Sequence, residues 1–342
     1  MKIAGEDDIL ALISRFFPEG HPSLLLGRGD DCAVIRTRGP LAVTTDIFAE
    51  DAHFRRRYFT PYDIGFKSVA VNVSDVGASG AVPSGLSMGL TLTGNEDETW
   101  IADFCKGMKA VCDRFSLALS GGDLTRSSLL NICVTAWGEL PDALPQGLRR
   151  GAAEEGDVIF LVGTVGLARL GLTLLEQTSS PADVEQVKKN WPEACKRHLR
   201  PEPLAEEGAA IAAFALRCNA ADRIGLMDVS DGLARDLPRL LATRRSGLGA
   251  NIALGPDDLH GEILRYAAEQ GASAPAFAFE GGEDYALAGT CPEHLWPALS
   301  REISAPVLVL GQAVRGRTTL NGESPASAGF DHFSGEKESV SS

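Results

Sequence analysis

"YDIGFKSVAVNVSDVGASGA", residues 62–81, opens at helical spacing and closes in a glycine-rich turn, with Asp75 where the apolar run meets small residues. Aspartate and glycine crowd turns for backbone reasons alone, so one such junction carries no chemistry. The junction recurs, however. Asp30 and Asp31 stand in "LGRGDDCAVI" (26–35), Asp46 in "VTTDIF" (43–48) and Asp123 in "LSGGDLTRS" (119–127). Asp228 and Asp231 follow in "MDVSDGL" (227–233), and Glu283 and Asp284 in "FEGGEDY" (279–285). Strand ends in layered folds gather along one edge of the sheet, where ligands bind. Carboxylates brought together there repel one another unless cations balance them. Magnesium suits such a set, because it takes oxygen ligands and bridges a few carboxylates to substrate phosphates. The neighbouring glycines let phosphates come close to the backbone. The pattern therefore points to several Mg²⁺ ions and a polyphosphate.

The elements around these junctions alternate. Helices are expected at "DDILALISRFF" (7–17), "DETWIADFCKGMKAVCDRF" (97–115), "GLARLGLTLLEQ" (166–177) and "PLAEEGAAIAAFAL" (203–216), from their apolar spacing. "CAVI" (32–35), "LAVTTD" (41–46), "SGLSMGLTLT" (84–93), "LLNICVTAWGEL" (129–140) and "GDVIFLVGTVG" (156–166) read as strands. "LALSGGD" (117–123) reads as a strand entering a turn, "TSSPADVEQ" (178–186) as a surface loop, and "PAFAFEGGEDYALAGT" (275–290) as strand, turn, strand. "PDALPQG" (141–147), with two prolines and a glycine, is the expected boundary. Two layered α/β (α+β) domains follow: 1–140, 141–333, and a polar, disordered tail over 334–342.

The 342-residue chain carries a net charge of -14. That balance repels nucleic acid and anionic membranes, and neither is an expected partner. Bound metal would reverse the sign locally and admit an anionic substrate. Seven cysteines, widely spaced and without CxxC, indicate free thiols, with Cys32 read as core. The start of the chain shows no basic leader ahead of an apolar core, and no apolar run approaches the ~18 residues of a membrane span. A cytoplasmic protein is expected. GxxxxGK[ST], GxGxxG, the protein-kinase set, GxSxG and HExxH are all missing, so phosphoryl transfer here needs another scaffold.

Nine stretches in order carry a resemblance: "GRGDDCAVI", "VTTDIFAEDAHF", "KSVAVNVSDVGASGA", "SGGDLTRS", "LRRGAAEEGD", "RHLRPEP", "DVSDGLARDL", "EGGEDYAL" and "GFDHF". From about residue 5 to residue 333 the chain resembles the thiamine-monophosphate kinase family of the aminoimidazole-ribonucleotide-synthetase-like superfamily. The resemblance implies the two-domain synthetase-like fold and transfer of the γ-phosphoryl group of ATP to thiamine monophosphate. It implies a homodimer formed through the N-terminal domain, with the active site between the domains. It implies magnesium at Asp31, Thr44, Thr45, Asp46, Asp75, Asp123, Asp228 and Asp231, with Asp75, Asp123 and Arg149 catalytic. Gly122, Asp123, Arg149 and Ser230 would contact ATP, and His53, Glu283 and Phe330 the acceptor. Thr44 stands where serine is common, and Phe330 where tyrosine or tryptophan is common; ring stacking survives the second change. Other ATP-using members of the superfamily share the metal acids, but the reactive cysteine and lysine near the start of selenophosphate synthetases are missing here. His53 also reads as a surface histidine. Lys67 reads equally as a phosphate contact or a helix-surface lysine and is left out of the site. Arg55–Arg57 read as a solvated face or an interface.

Overall fold

The chain builds two principal sheets, one on each side of the segment 140–157. The computed structural model describes residues 5–242 and 247–325; Phe330 and the expected tail lie outside the described residues. The first part runs α1 (Glu6–Phe16), β1 (Leu24–Leu26), β2 (Val34–Ile35), β3 (Leu41–Ala49), α2 (Pro61–Ala78), β4 (Val82–Leu92), α3 (Glu98–Phe115), β5 (Ala118–Arg126) and β6 (Asn131–Glu139). The second runs β7 (Val158–Val162), α4 (Leu167–Glu176), α5 (Pro181–Asn190), α6 (Pro192–Leu199), α7 (Ala205–Arg217), β8 (Gly225–Asp228), α8 (Leu233–Leu241), β9 (Leu248–Ile252), α9 (Gly261–Gln270), α10 (Ala274–Phe279), β10 (Leu287–Cys291), β11 (Val307–Arg315) and β12 (Thr319–Leu320).

The first sheet has the order β3-β6-β4-β5, with β4 and β5 parallel and the other pairs antiparallel. Its alternation is clean on β3: Val43, Thr45 and Ile47 are exposed, while Phe48 is buried on the side facing α2. α2 starts at a capping box, with Asp63 N donating to Thr60 Oγ1 at 3.2 Å and Thr60 N donating back to the Asp63 carboxylate at 3.1 Å. Pro61 sets the first helical turn without losing a needed donor. The helix is apolar on most of its surface because the sheet, α3, α7 and β8 surround it. The second sheet has the order β12-β9-β11-β7-β10-β8, antiparallel except for β12 against β9. One apolar core runs through both parts, from Phe48 and Val73 to Met227 and Leu237. Each such large side chain withdrawn from water contributes about 1.5–3 kcal/mol.

Four local expectations change. Residues 178–186 contain the start of α5, and "PAFAF" forms most of α10. In both, a serine caps the helix (Asp183 N to Ser180 Oγ at 3.2 Å, Ala276 N to Ser273 Oγ at 3.4 Å) and a proline occupies the first turn. Those local signals outweigh an apolar run too short to tell strand from helix. "SGGD" continues as strand to Arg126, and Gly122 (φ 155°) is what allows it: a Cβ there would lie 1.8 Å from Met88 O. "CAVI" yields only a two-residue strand, and Cys32 is exposed instead of core. All seven cysteines are free. Among the described residues, no helix is long and apolar enough to cross a membrane.

Candidate active site

The last turns of α2 tie the two sheets together. Thr44 Oγ1 donates to Asp75 Oδ2 at 2.6 Å, and Asp46 N donates to Asn72 Oδ1 at 3.1 Å. Residues 72 and 75 share one helix face, so both reach β3. Ser74, one position round, donates its hydroxyl to Asp228 Oδ2 at 2.9 Å, at the end of β8. Asp75 therefore stands on a helix, not at a strand end, and Asp46 lies within β3. Together with Asp228 they open onto a cleft of about 650 Å³ between the two parts of the chain, which His53, Ser230, Asp231 and Glu283 also line.

Three carboxylates so placed lie close to one another, Asp228 buried and Asp46 and Asp75 half-buried. Burial, and after it the charge of Asp75, pushes Asp46 up to about 6. Burial and then Asp75 also raise Asp228 well above the ordinary carboxylate range. A cation entering the cleft would remove the cause that Asp75 supplies. The donors are all oxygen, which fits magnesium. Among the described residues, no three acidic, histidine or cysteine side chains form a ready-made cage.

Two turns complete the wall. The buried carboxylate of Asp236 accepts from Ser230 N at 3.0 Å and Asp231 N at 2.9 Å, which fixes the turn after β8. Asp231 is itself engaged by Arg239 Nη1 at 2.6 Å. The turn 280–285 docks on it through backbone: Glu283 N donates to Ser230 O at 2.8 Å and Tyr285 N to Val229 O at 3.0 Å. Gly282 is required for that approach, since a Cβ would lie 2.4 Å from Ser230 O. Glu283 and Tyr285 both adopt left-handed backbone, at φ 66° and 51°. Asp284 turns inward and accepts from Gly166 N at 2.6 Å and Ala168 N at 2.8 Å, at the start of α4.

Asp31, Thr45, Gly122, Asp123 and Arg149, also singled out from sequence, lie elsewhere. Asp31 is exposed in the loop before β2, with its N–H donated to Asp30 Oδ1 at 2.8 Å. Thr45 and Asp123 face the open side of the first sheet, opposite Asp46. There Thr45 Oγ1 lies 2.8 Å from Thr135 Oγ1, and Asp123 pairs in register with Gly89. Gly122 is exposed beside it, and Arg149 is exposed in the segment between the sheets. His53 accepts at Nδ1 from Ala49 N at 3.1 Å and faces the cleft.

Residues 29–140 match the family model described as AIR synthase related protein, N-terminal domain. The thiamine-monophosphate kinase of Haemophilus influenzae is 34% identical over 344 residues, covering 95% of this chain and 98% of that protein. The chain belongs to the thiamine-monophosphate kinase family. Among solved structures, the thiamine-monophosphate kinase of Stenotrophomonas maltophilia K279a superposes with a TM-score of 0.75 at 31% identity, over 93% of this chain and 96% of that one. AaThiL complexed with AMPPCP and TMP superposes at 0.70 with 28% identity, over 97% and 99%.

In this member of the family, several residues in or behind the cleft have no role in the sequence reading. Lys67 is neither a surface lysine nor exposed to a phosphate: it is fully buried, with Nζ 3.0 Å from Glu283 Oε1. His198, from "RHLRPEP", is fully buried beside the same carboxylate, with Nδ1 3.1 Å from Oε2. A lysine inside the apolar run "KSVAVNV" was the available signal, because buried lysines are paired. Arg55 lines the cleft and pairs with Glu176 at 3.3 Å, and Arg57 and Tyr58 also reach Glu176. That part of the arginine run joins the two parts of the chain.

Proposed function

We propose that the protein transfers the γ-phosphoryl group of ATP to thiamine monophosphate, giving thiamine diphosphate and ADP, the last step of thiamine diphosphate biosynthesis. The observation that carries this reading is family membership along nearly the whole chain, joined to a cleft where Asp46, Asp75 and Asp228 converge from both parts. The acceptor is a phosphate whose second pKa is near 6, so at pH 7 it is mostly the dianion. It needs no general base. The protein's work is to bring two polyanions into line and to hold them there.

Several magnesium ions would supply charge neutralisation when bound. Asp46, Asp75 and Asp228 hold them in the cleft in this reading, with Thr44 and Asp231 as further ligands there, while Asp31, Thr45 and Asp123, which stand outside the cleft in one chain, are ligands at a second surface. Gly122, Ser230 and Arg149 meet ATP, while His53, Glu283 and Phe330 meet the acceptor. The protein works in the cytoplasm as a homodimer, with residues 1–140 as the metal, ATP and dimer domain and 141–333 completing the site. The dimer reading is supported by the outward face of edge strand β3, where Val43 and Ile47 are 62% and 61% exposed. Sedimentation of Ile47→Asp, expected as a monomer, tests it.

The activity is tested by coupled ADP release with thiamine monophosphate, with and without Mg²⁺. Turnover is expected only with the metal. Turnover on formylglycinamidine ribonucleotide or selenide, with none on thiamine monophosphate, would overturn the reading.

A further inference from the structure

We propose that Lys67 and His198 are positioning residues: they grip Glu283 from behind and aim it, as an anion, at the cationic ring of the acceptor. This rests on the reading of the cleft as a thiamine monophosphate site.

Lys67 Nζ donates to Glu283 Oε1 at 3.0 Å and to His198 O at 2.8 Å, so one ammonium joins the carboxylate to α6. His198 Nδ1 lies 3.1 Å from the other carboxylate oxygen, at contact distance but without hydrogen-bond alignment, and its buried Nε2 has no hydrogen-bond partner among the described residues. Both gripping side chains are fully buried, whereas 26% of the Glu283 side chain stays exposed, and that part lines the cleft. Aromatic rings fix the grip. Lys67 Nζ is 5.9 Å from the Phe48 ring and 5.6 Å from the Phe59 ring, and His198 meets Phe59 edge-on at 5.3 Å. The left-handed backbone of Glu283 is costly for a side chain of this kind and persists only where its surroundings impose it.

A buried ion pair is a poor source of stability, because an apolar pair of similar volume serves as well or better. The arrangement makes sense as recognition. The acceptor carries a permanent thiazolium cation, and a carboxylate facing the cleft attracts it. Burial alone would favour the neutral acid at Glu283; Lys67 and then His198 outweigh it and hold the group well below the ordinary carboxylate range. Glu283 in turn limits the loss of proton affinity that burial imposes on Lys67. Burial lowers His198 as well, so the imidazole is neutral at neutral pH and adds contact without adding charge.

The test is steady-state kinetics on the full chain, with ATP and thiamine monophosphate varied independently. Glu283→Gln and Lys67→Met are each expected to raise KM for thiamine monophosphate about ten- to a hundredfold, the scale of one lost charged hydrogen bond. KM for ATP stays at the wild-type value. His198→Asn, which keeps a donor, is expected to lose less than His198→Leu. Lys67→Met leaves Glu283 without its cation and lowers Tm. The double variant Lys67→Met/Glu283→Gln restores Tm while leaving the acceptor KM no higher than Glu283→Gln alone. Variants that fold cooperatively yet keep the wild-type acceptor KM, or that raise both KM values together, would overturn the positioning role. Wild-type protein inert toward thiamine monophosphate would instead overturn the function reading and the acceptor with it.

Discussion

Asp46 and Thr45 are neighbours in sequence, yet they belong to two different surfaces. Asp46 faces α2 and joins Asp75 and Asp228 in the cleft, where burial and mutual charge raise it. Thr45 faces the open side of the sheet, as does Asp123 two strands beyond β6. Strand parity makes the division: side chains at i and i+1 point to opposite faces. A motif such as "VTTD" can thus serve one compact site directly and reach a second surface at the same time. The difference teaches that one chain assembles only part of the acid set. The cleft acids are mounted on a buried helix and two strands. Asp31, Asp123 and Arg149 stand on exposed positions outside the lining of the cleft.

The largest effect expected from breaking this contrast comes from Asp75→Asn. Asp75 accepts from Thr44 and is the charge that acts on both Asp46 and Asp228. Steady-state assays should show kcat lower by on the order of a thousandfold. Thermal unfolding in metal-free buffer should show the opposite sign, a raised Tm, because a repelling charge is gone. Near-normal kcat at saturating Mg²⁺ would remove Asp75 from the machinery. Adding Mg²⁺ should also raise the wild-type Tm by preferential binding to the folded state, and should do so far less in this variant.

Substitutions on the other surface should lack that stability signature. Asp123→Asn and Asp31→Asn are expected to cost activity about a hundredfold, the lower end of the range for one charge-stabilising group. Because both side chains are exposed, metal-free Tm should stay at the wild-type value. Asp30→Asn should cost less than Asp31→Asn, since an asparagine oxygen can still accept from Asp31 N. Equal losses at 30 and 31 across a Mg²⁺ titration would show that the pair acts as two equivalent acids.

The sequence made the motifs, the principal helices and the acidic junctions readable, because each is a local pattern. Even the split between Thr45 and Asp46 was available from the period of a strand. What it could not carry was distance in the chain. Lys67 reads as a lysine on a helix until Glu283 is found 216 residues later. Asp236 is one more acid in the "DVSDGLARDL" stretch. Its role shows only when its carboxylate is seen under the backbone of Ser230 and Asp231. The helix α10 was hidden for another reason: five apolar residues have no period, and the deciding signal was Ser273 followed by Pro275.

The smallest effect concerns an acid that serves neither surface. Asp284 is fully buried under the start of α4, and burial pushes it up to about 7 despite two backbone donors. In the unfolded chain it titrates in the ordinary range near 3.9. Between those values the folded state binds more protons than the unfolded state, so stability falls as pH rises. The contribution is fully present below about pH 4, is lost progressively toward pH 7, and is flat above. Asp284→Asn cannot titrate and should lack this slope, although one of its two amide hydrogens then faces a backbone donor. The Tm difference, wild type minus variant, is therefore expected to shrink by a few degrees between pH 5 and pH 8. A difference that grows over that interval would mean the folded protein keeps Asp284 ionised at the helix start. In that case the two N–H donors and the dipole of α4, not burial, would govern the group.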